Sequence, residues 1–338
     1  MRATASTIFA IAGLTAATAS ADSLRLSSPV YTLTFGVDAP TPGFDPIDAE
    51  HIDFNAVYQS GGTFVPTYEP IGGLPAGTPA NNSLIVNGNS QINVPSGGFP
   101  SSFDFIGATP GESIWLIPQA APSPFDRLWF GLGNEEVSPE ARQELISWSP
   151  NDPRLSPIEL PWIEFRLRDV RAPSSAGQFS AYQSGGGNLT TWMATTDGIG
   201  DEDAIWVQEG AHGHYNFAFT EQGVWEIDLQ VFTETNLERL AGDADLDGDV
   251  DLADFGRLRA GFGTFTDWSQ GDFDGDGTVT LADFGLLRAN FGQPGQIAAL
   301  DAWYTTVVPE PSAAAFAAGF LLLARRRRRD TAPVFRRH

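Results

Sequence analysis

Aspartate alternates along two stretches of this chain. Asp243, Asp245, Asp247, Asp249 and Asp251 are followed by Asp254; Asp272, Asp274 and Asp276 are followed by Thr278, Thr280 and Asp283. The surrounding sequences, GDADLDGDVDLADFGRLRAGFG and GDFDGDGTVTLADFGLLRANFG, repeat at an offset of 29 residues. Hard oxygen ligands at every second position of a tight loop suit Ca2+, which takes about six to eight oxygens at about 2.3–2.6 Å. Counting each loop from its first aspartate, positions 1, 3, 5, 9 and 12 offer side-chain oxygens, and position 7 (Asp249, Thr278) offers a backbone carbonyl. Position 6 must turn sharply, and Gly248 and Gly277 do so at little steric cost. Position 12 is Asp rather than the longer Glu, which makes bidentate closure harder. The spacing predicts two Ca2+ sites.

A second set of ligand-type residues is sparser. Of the four histidines, His338 ends the chain, and the others fall in two short stretches, His51 with Asp53 and His212 with His214. Residues two apart on a strand point to the same side. Should the two stretches be neighbours, three imidazoles and a carboxylate converge, a donor set for Zn2+ or another transition metal. The competing reading is of structural or surface histidines held by hydrogen bonds.

Other chemistry finds little support. Cysteine is absent, which excludes disulfides, thiolate metal sites and thiol nucleophiles. There is no phosphate-binding loop, dinucleotide fingerprint or serine nucleophile elbow. Paired acids such as Asp201 with Asp203, or Glu135 with Glu136, are expected in so acidic a chain and are weak candidates for a glycosidase pair. The net charge is -23, and between positions 22 and 324 there are 41 acids against 11 arginines and no lysine. No basic face exists for a nucleic acid, so none is expected as a partner.

These ligands need elements to hold them. After each aspartate loop, Phe255, Leu258 and Phe262, and Phe284, Leu287 and Phe291, fall on one helical face. Two loop–helix units could pack face to face, with bound ion as the staple that so small a unit needs. Gly256 and Gly285 lie inside these helices and each costs about 1 kcal/mol relative to Ala. The segment 241–292 resembles a type I dockerin, a small α module of two half EF-hands in tandem. The resemblance implies that Leu252, Ala253, Leu281 and Ala282, at loop positions 10 and 11, contact a cohesin-like partner, and that either half can do so.

Residues 22–239 read as short strands between Gly, Pro, Ser and Asn clusters. Ile163, Phe165 and Leu167, and Trp225, Ile227, Leu229 and Val231, alternate with polar residues. The fold expected is mainly β: an antiparallel β-sandwich, with one short helix at 139–145. Trp115, Trp162, Trp192 and Trp206 read as core residues before sugar-stacking ones. The stretches Glu50–Asp53, Phe105–Gly107, Ile114–Gln119, Thr191–Thr195 and Gly210–Thr220 resemble the choice-of-anchor M domain. That resemblance implies a β-sandwich module of exported proteins carrying varied surface anchors.

The two ends read as addresses. Arg2, an apolar run and Ala19-Ser20-Ala21 match a signal peptide over 1–21. After a linker at 293–306, residues 307–329 hold Pro309, Glu310 and Pro311, an apolar segment at 313–324 and five arginines, with a basic tail at 330–338 expected on the cytoplasmic side. This arrangement resembles the PEP-CTERM sorting signal, which implies an exosortase-type protease as partner and transient anchoring in the inner membrane. Twelve apolar residues span roughly 18 Å, short for a permanent crossing.

The function expected is that of an exported, envelope- or surface-associated binding or structural protein without catalytic activity, its partners including a cohesin-like protein or an envelope polysaccharide. One alternative is a metal- or ligand-binding receptor built on His51, His212 and His214; the other is a dockerin-bearing polysaccharide hydrolase.

Overall fold

The computed structural model describes residues 23–48, 50–70 and 77–292. The expected signal peptide, linker, sorting signal with Pro309, Glu310 and Pro311, apolar segment and basic tail lie outside the described residues. Among those described, no helix is long and apolar enough to cross a membrane.

The chain is mainly β, arranged as three sheets. The largest has seven strands; edge to edge it runs Ala204–Gln208, Trp162–Arg171, Gly223–Thr235, Tyr31–Val37, Asn82–Val86 and Asp45–Asp48, and Leu24–Ser27 pairs with the far end of Gly223–Thr235. A five-stranded sheet runs Asn188–Ala194, Phe179–Gly185, Asn216–Phe219, Ser113–Ile117 and Gln91–Asn93. A four-stranded sheet runs His212–His214, Trp129–Gly133, His51–Gln59 and Thr63–Pro70. The chain passes directly from the smallest sheet to the five-stranded one at Tyr215.

Alternation places the core. Leu33, Phe35, Phe165, Leu167, Trp225, Ile227 and Leu229 of the large sheet are buried, facing Phe54, Phe130, Phe217 and Phe219 of the other two. Phe35 meets Phe130 and Phe219, with ring centroids 5.6 and 5.3 Å apart, and Phe54 meets Phe165 at 6.1 Å. Fully burying such a side chain contributes about 1.5–3 kcal/mol. Trp115, Trp162 and Trp192 are buried and Trp206 is half-buried.

The expectation of a purely antiparallel sandwich needs correction. Three strand pairs are parallel: Tyr31–Val37 with Asn82–Val86, Asp45–Asp48 with Asn82–Val86, and His51–Gln59 with Trp129–Gly133. Alternation reports which face is buried but not the direction of the neighbouring strand. Long connections, such as 59 to 129, permit the crossover that a parallel pair requires. The expected helix at 139–145 is a single turn, Pro139–Arg142, capped by Ser138.

The repeat folds as two loop–helix units, with helices at Leu252–Gly261 and Leu281–Asn290. Each has a capping box, Asp251 with Asp254 and Thr280 with Asp283. Phe255, Leu258, Phe284 and Leu287 are buried between them, as the spacing requires. Phe262 and Phe291 come one residue later than the helices, as half-buried caps. The repeat is continuous with the core of the β body rather than separate from it.

Candidate metal centre

His51 and Asp53 stand on one strand and His212 and His214 on another, but those strands are not adjacent. Trp129–Gly133 lies between them and pairs with both. Its Phe130 and Leu132 point into the core, so Trp129, Gly131 and Gly133 share the opposite face with the candidate ligands. Gly131 stands in register with Asp53 on one side and His214 on the other, and Gly133 with Asn55 and His212. A Cβ on Gly131 would lie 2.1 Å from Asp53 Oδ1 and 3.1 Å from His214 Cε1; one on Gly133 would lie 2.5 Å from Asn55 Oδ1. The two glycines open the space in which side chains from the outer strands meet across the middle one.

The meeting is close. His51 Nε2 is 3.0 Å from His214 Nε2 and 3.3 Å from Asp53 Oδ2. Asp53 Oδ1 is 3.7 Å from His214 Nε2, and Oδ2 is 4.0 Å from His212 Nε2. Four ligands at about 2.0–2.1 Å from a tetrahedral ion stand about 3.3–3.4 Å apart, and the observed separations bracket that edge. Asp53 Oδ1 and His51 Nδ1 are buried and find no hydrogen-bond partner among the described residues. A buried carboxylate oxygen facing three imidazoles costs free energy unless a cation or proton joins it.

The surroundings orient the rings. Trp129 stacks on His214, with centroids 4.0 Å apart, and on His51 at 4.3 Å. His212 Nδ1 lies 2.9 Å from Glu135 Oε1, which leaves Nε2 for a metal. Asn55 Oδ1 accepts the backbone N–H of Glu135 and so fixes that carboxylate's approach. Burial pushes the Asp53 carboxyl up to about 7. Burial lowers His214 to about 4 and also lowers His51, aided by the neighbouring imidazoles. His212 moves up: burial opposes this, but Glu135 and Asp53 outweigh it. Two imidazoles are thus neutral and ready to ligate at neutral pH. The sequence identified all four candidate donors; it did not single out Trp129, Gly131, Gly133 or Asn55, and it noted Glu135 only as half of a weak acid pair with Glu136. The signal present was glycine at alternate positions of Trp129-Phe130-Gly131-Leu132-Gly133, a strand with a bare face.

The aspartate loops bring part of the expected ligand set together, Asp247 and Asp283 falling in none of the gathered groups. Gly248 and Gly277 have φ of 97° and 89°. Carboxylate oxygens of Asp243, Asp245 and Asp254 lie within 4.8 Å of one another, as do those of Asp249, Asp251 and Asp254, and of Asp272, Asp274 and Asp276. Asp249, expected to offer a backbone carbonyl, thus brings its carboxylate to Asp251 and Asp254. Asp254 and Asp283 accept loop N–H groups: Asp254 Oδ1 from Ala244 at 2.8 Å, and Asp283 Oδ1 from Phe273 at 2.7 Å. The short position-12 side chain thus anchors its loop, and Asp254 also joins the gathered carboxylates. Leu252, Ala253, Leu281 and Ala282 are exposed at the starts of the helices.

The two loops differ in environment. Asp272 is 1% exposed, accepts from Ser27 of the large sheet, and has an Oδ1 with no partner among the described residues. Gln230 Nε2 donates to Thr266 O at 2.7 Å and to Gly277 O at 3.1 Å, and Arg168 Nη2 donates to Asp276 O at 3.2 Å. In the first loop Asp247, Gly248 and Asp249 are exposed. Burial pushes Asp272 up to about 8 and Asp274 to about 6, with neighbouring aspartates adding to both.

No model of a known protein family matches the chain, and no characterised protein or solved structure matches it either.

Proposed function

We propose that this is an exported, envelope-associated binding protein without catalytic activity, whose β body holds a transition metal at His51, Asp53, His212 and His214 and whose C-terminal repeat is stapled by two Ca2+ ions. The observation that carries the metal reading is the convergence of three Nε2 atoms on one buried carboxylate, at separations matching a tetrahedral ion. Zinc fits best among common ions, since three imidazoles and a carboxylate form a borderline donor set. When bound, the metal supplies a fixed positive charge and a Lewis-acidic centre. His51 and His214 supply neutral nitrogens, Glu135 holds the His212 tautomer, and Trp129 keeps water off two rings.

The calcium reading rests on the doubled ligand pattern, the left-handed glycines and the buried, unpartnered Asp272 Oδ1. The dockerin-like use of Leu252, Ala253, Leu281 and Ala282 toward a cohesin-like protein, export by a signal peptide and processing by an exosortase-type protease belong to the same proposal and rest on sequence resemblance. Titrating zinc into the calcium-loaded full chain tests the metal reading. One equivalent should bind the protein and none the His212→Ala variant at that site; equal silence from both overturns it. Lack of hydrolysis across a panel of polysaccharides is the outcome expected of a non-enzymatic protein, and cleavage would favour the hydrolase alternative.

A further inference from the structure

The two copies of the repeat differ at a place the calcium pattern leaves free. At loop position 4 the first copy has Leu246 and the second has Gly275. Leu246 takes a φ of 61° and is 53% exposed, so the loop itself accepts a side chain there. Gly275, at a φ of 72°, has no such room: a Cβ on it would lie 2.2 Å from the backbone oxygen of Arg25. Gly277, at position 6, is equally confined. Its Cβ would lie 2.5 Å from Arg168 Nη2 and 2.6 Å from Phe232 Cζ, whereas a Cβ on Gly248 of the first loop would meet no heavy atom within 4 Å among the described residues. The glycines of the second loop thus serve close approach as well as turning.

What they approach is the first strand of the β body. Leu24–Ser27 is four residues long, and among the described residues it pairs with one strand, Gly223–Thr235. So short a strand at a chain end frays unless it is tied down. The second loop closes over it. Ser27 Oγ donates to Asp272 Oδ2 and lies 3.0 Å from Thr266 O. The buried Gln230 Nε2 stands 2.9 Å from Ser28 O, 2.7 Å from Thr266 O and 3.1 Å from Gly277 O, so one amide gathers the strand end, the segment between the helices and the loop. Arg168 Nη2 donates to Asp276 O at 3.2 Å, with its guanidinium 4.5 Å from the Phe265 ring centroid. Asp272 sits at the centre of this joint. It is 1% exposed, its Oδ1 has no partner among the described residues, and carboxylate oxygens of Asp274 and Asp276 lie within 4.8 Å. A buried carboxylate with an unpartnered oxygen beside two more is costly unless a cation or proton joins it. The remaining relief is for the loop to move out to water, and a loop that moves takes its bonds to Ser27 and Gln230 with it.

We propose that Ca2+ in the second loop acts as a latch, fixing the repeat to the β body and closing the strand Leu24–Ser27 beneath it, an inference that rests on the calcium reading above. The test is hydrogen exchange of the full chain, stripped of metal and then given Ca2+ or none. It is run at about pH 9, where even the Asp272 carboxyl, raised by burial to about 8, is largely ionised. Calorimetric titration with Ca2+ reports binding separately. Exchange at residues 24–28 should slow by at least about tenfold in Ca2+, while the strand His51–Gln59 is unchanged. Asp245→Ala, in the first loop, should keep that protection. Gly275→Leu, which gives the second loop the residue of the first, should lose it even in Ca2+. Ca2+ binding that leaves exchange at residues 24–28 unchanged overturns the latch and lets the calcium reading stand; absence of Ca2+ binding overturns both. Equal slowing at His51–Gln59, loss of protection in Asp245→Ala, or a Gly275→Leu variant protected like the parent each overturns the latch.

Discussion

Gly131 stands opposite Asp53 across a parallel strand pair, and a methyl group on it would lie 2.1 Å from the Asp53 carboxylate. The site therefore depends on an atom that is missing as much as on those present. Gly131→Ala should keep the fold, because the added methyl points away from the core, but it should displace Asp53 and His214. Zinc affinity measured by competition with a chromophoric chelator is expected to fall by at least about 100-fold, as for loss of a ligand or its support. Affinity equal to the parent's would remove the three-strand geometry from the explanation.

Glu135→Gln addresses orientation rather than ligation. Glu135 touches His212 Nδ1 and no candidate metal-binding atom. Zinc should still bind at one equivalent, weakened about 10–100-fold, whereas His212→Ala should lose the site.

Zinc binding should strengthen as pH rises through about 7. The ion must displace a proton from Asp53, whose carboxyl burial raises to about 7, whereas His214, lowered to about 4, is already neutral. An affinity that is flat between pH 5 and 8 would contradict this assignment.

In chelator the protein should be more heat-stable at pH 5 than at pH 8. Asp53, Asp272 and Asp274 have folded-state pKa values of about 7, 8 and 6, above the ordinary carboxylate value of about 3.9. Their contribution is complete below about pH 4 and lost as pH rises through those values. Glu144 and Asp152, held low by hydrogen bonds despite burial, act in the opposite sense below this window, and His51 and His214, held low by burial, act in the opposite sense within it but are outnumbered by the raised carboxyls. Excess Ca2+ should reverse the trend, raising the melting temperature most at pH 8 by taking the place of the protons.

The two aspartate loops should not be equivalent. Asp272→Ala, which removes the carboxylate that accepts from Ser27 in the loop packed on the sheet, should expose the segment around Ser27 and Gln230 to hydrogen exchange. Asp245→Ala, in the solvent-facing loop, should loosen only its own helix. By contrast Gly256→Ala should stabilise the calcium-loaded protein by about 0.5–1 kcal/mol, since no heavy atom lies within 4 Å of the added methyl. Hydrogen exchange compares the two loop variants, and denaturant melts measure Gly256→Ala.

Local pattern was legible wherever one segment held the whole answer. Each aspartate loop is a single stretch of chain, so its spacing fixed the turn, the helix start and the clustered carboxylates. Strands such as Ile163–Leu167 and Trp225–Val231 announced their buried faces because side chains alternate whatever the neighbour. Sheet order and the parallel pairs were not legible, since nothing in a strand's own alternation names its partner.

The metal centre divides along the same line. The sequence by itself determined which four side chains could ligate, and that each pair shares a side of its strand, because a strand's period of two is a local property. Only the tertiary structure decided that the pairs meet, since that required a third strand, 129–133, drawn in from a distant part of the chain and carrying glycine where a side chain would have filled the gap. It decided too that the second aspartate loop packs on the sheet through Asp272 and Gly277 while a Cβ on Gly248 of the first would meet nothing among the described residues, because near-identical sequences acquire different surroundings through what packs against them.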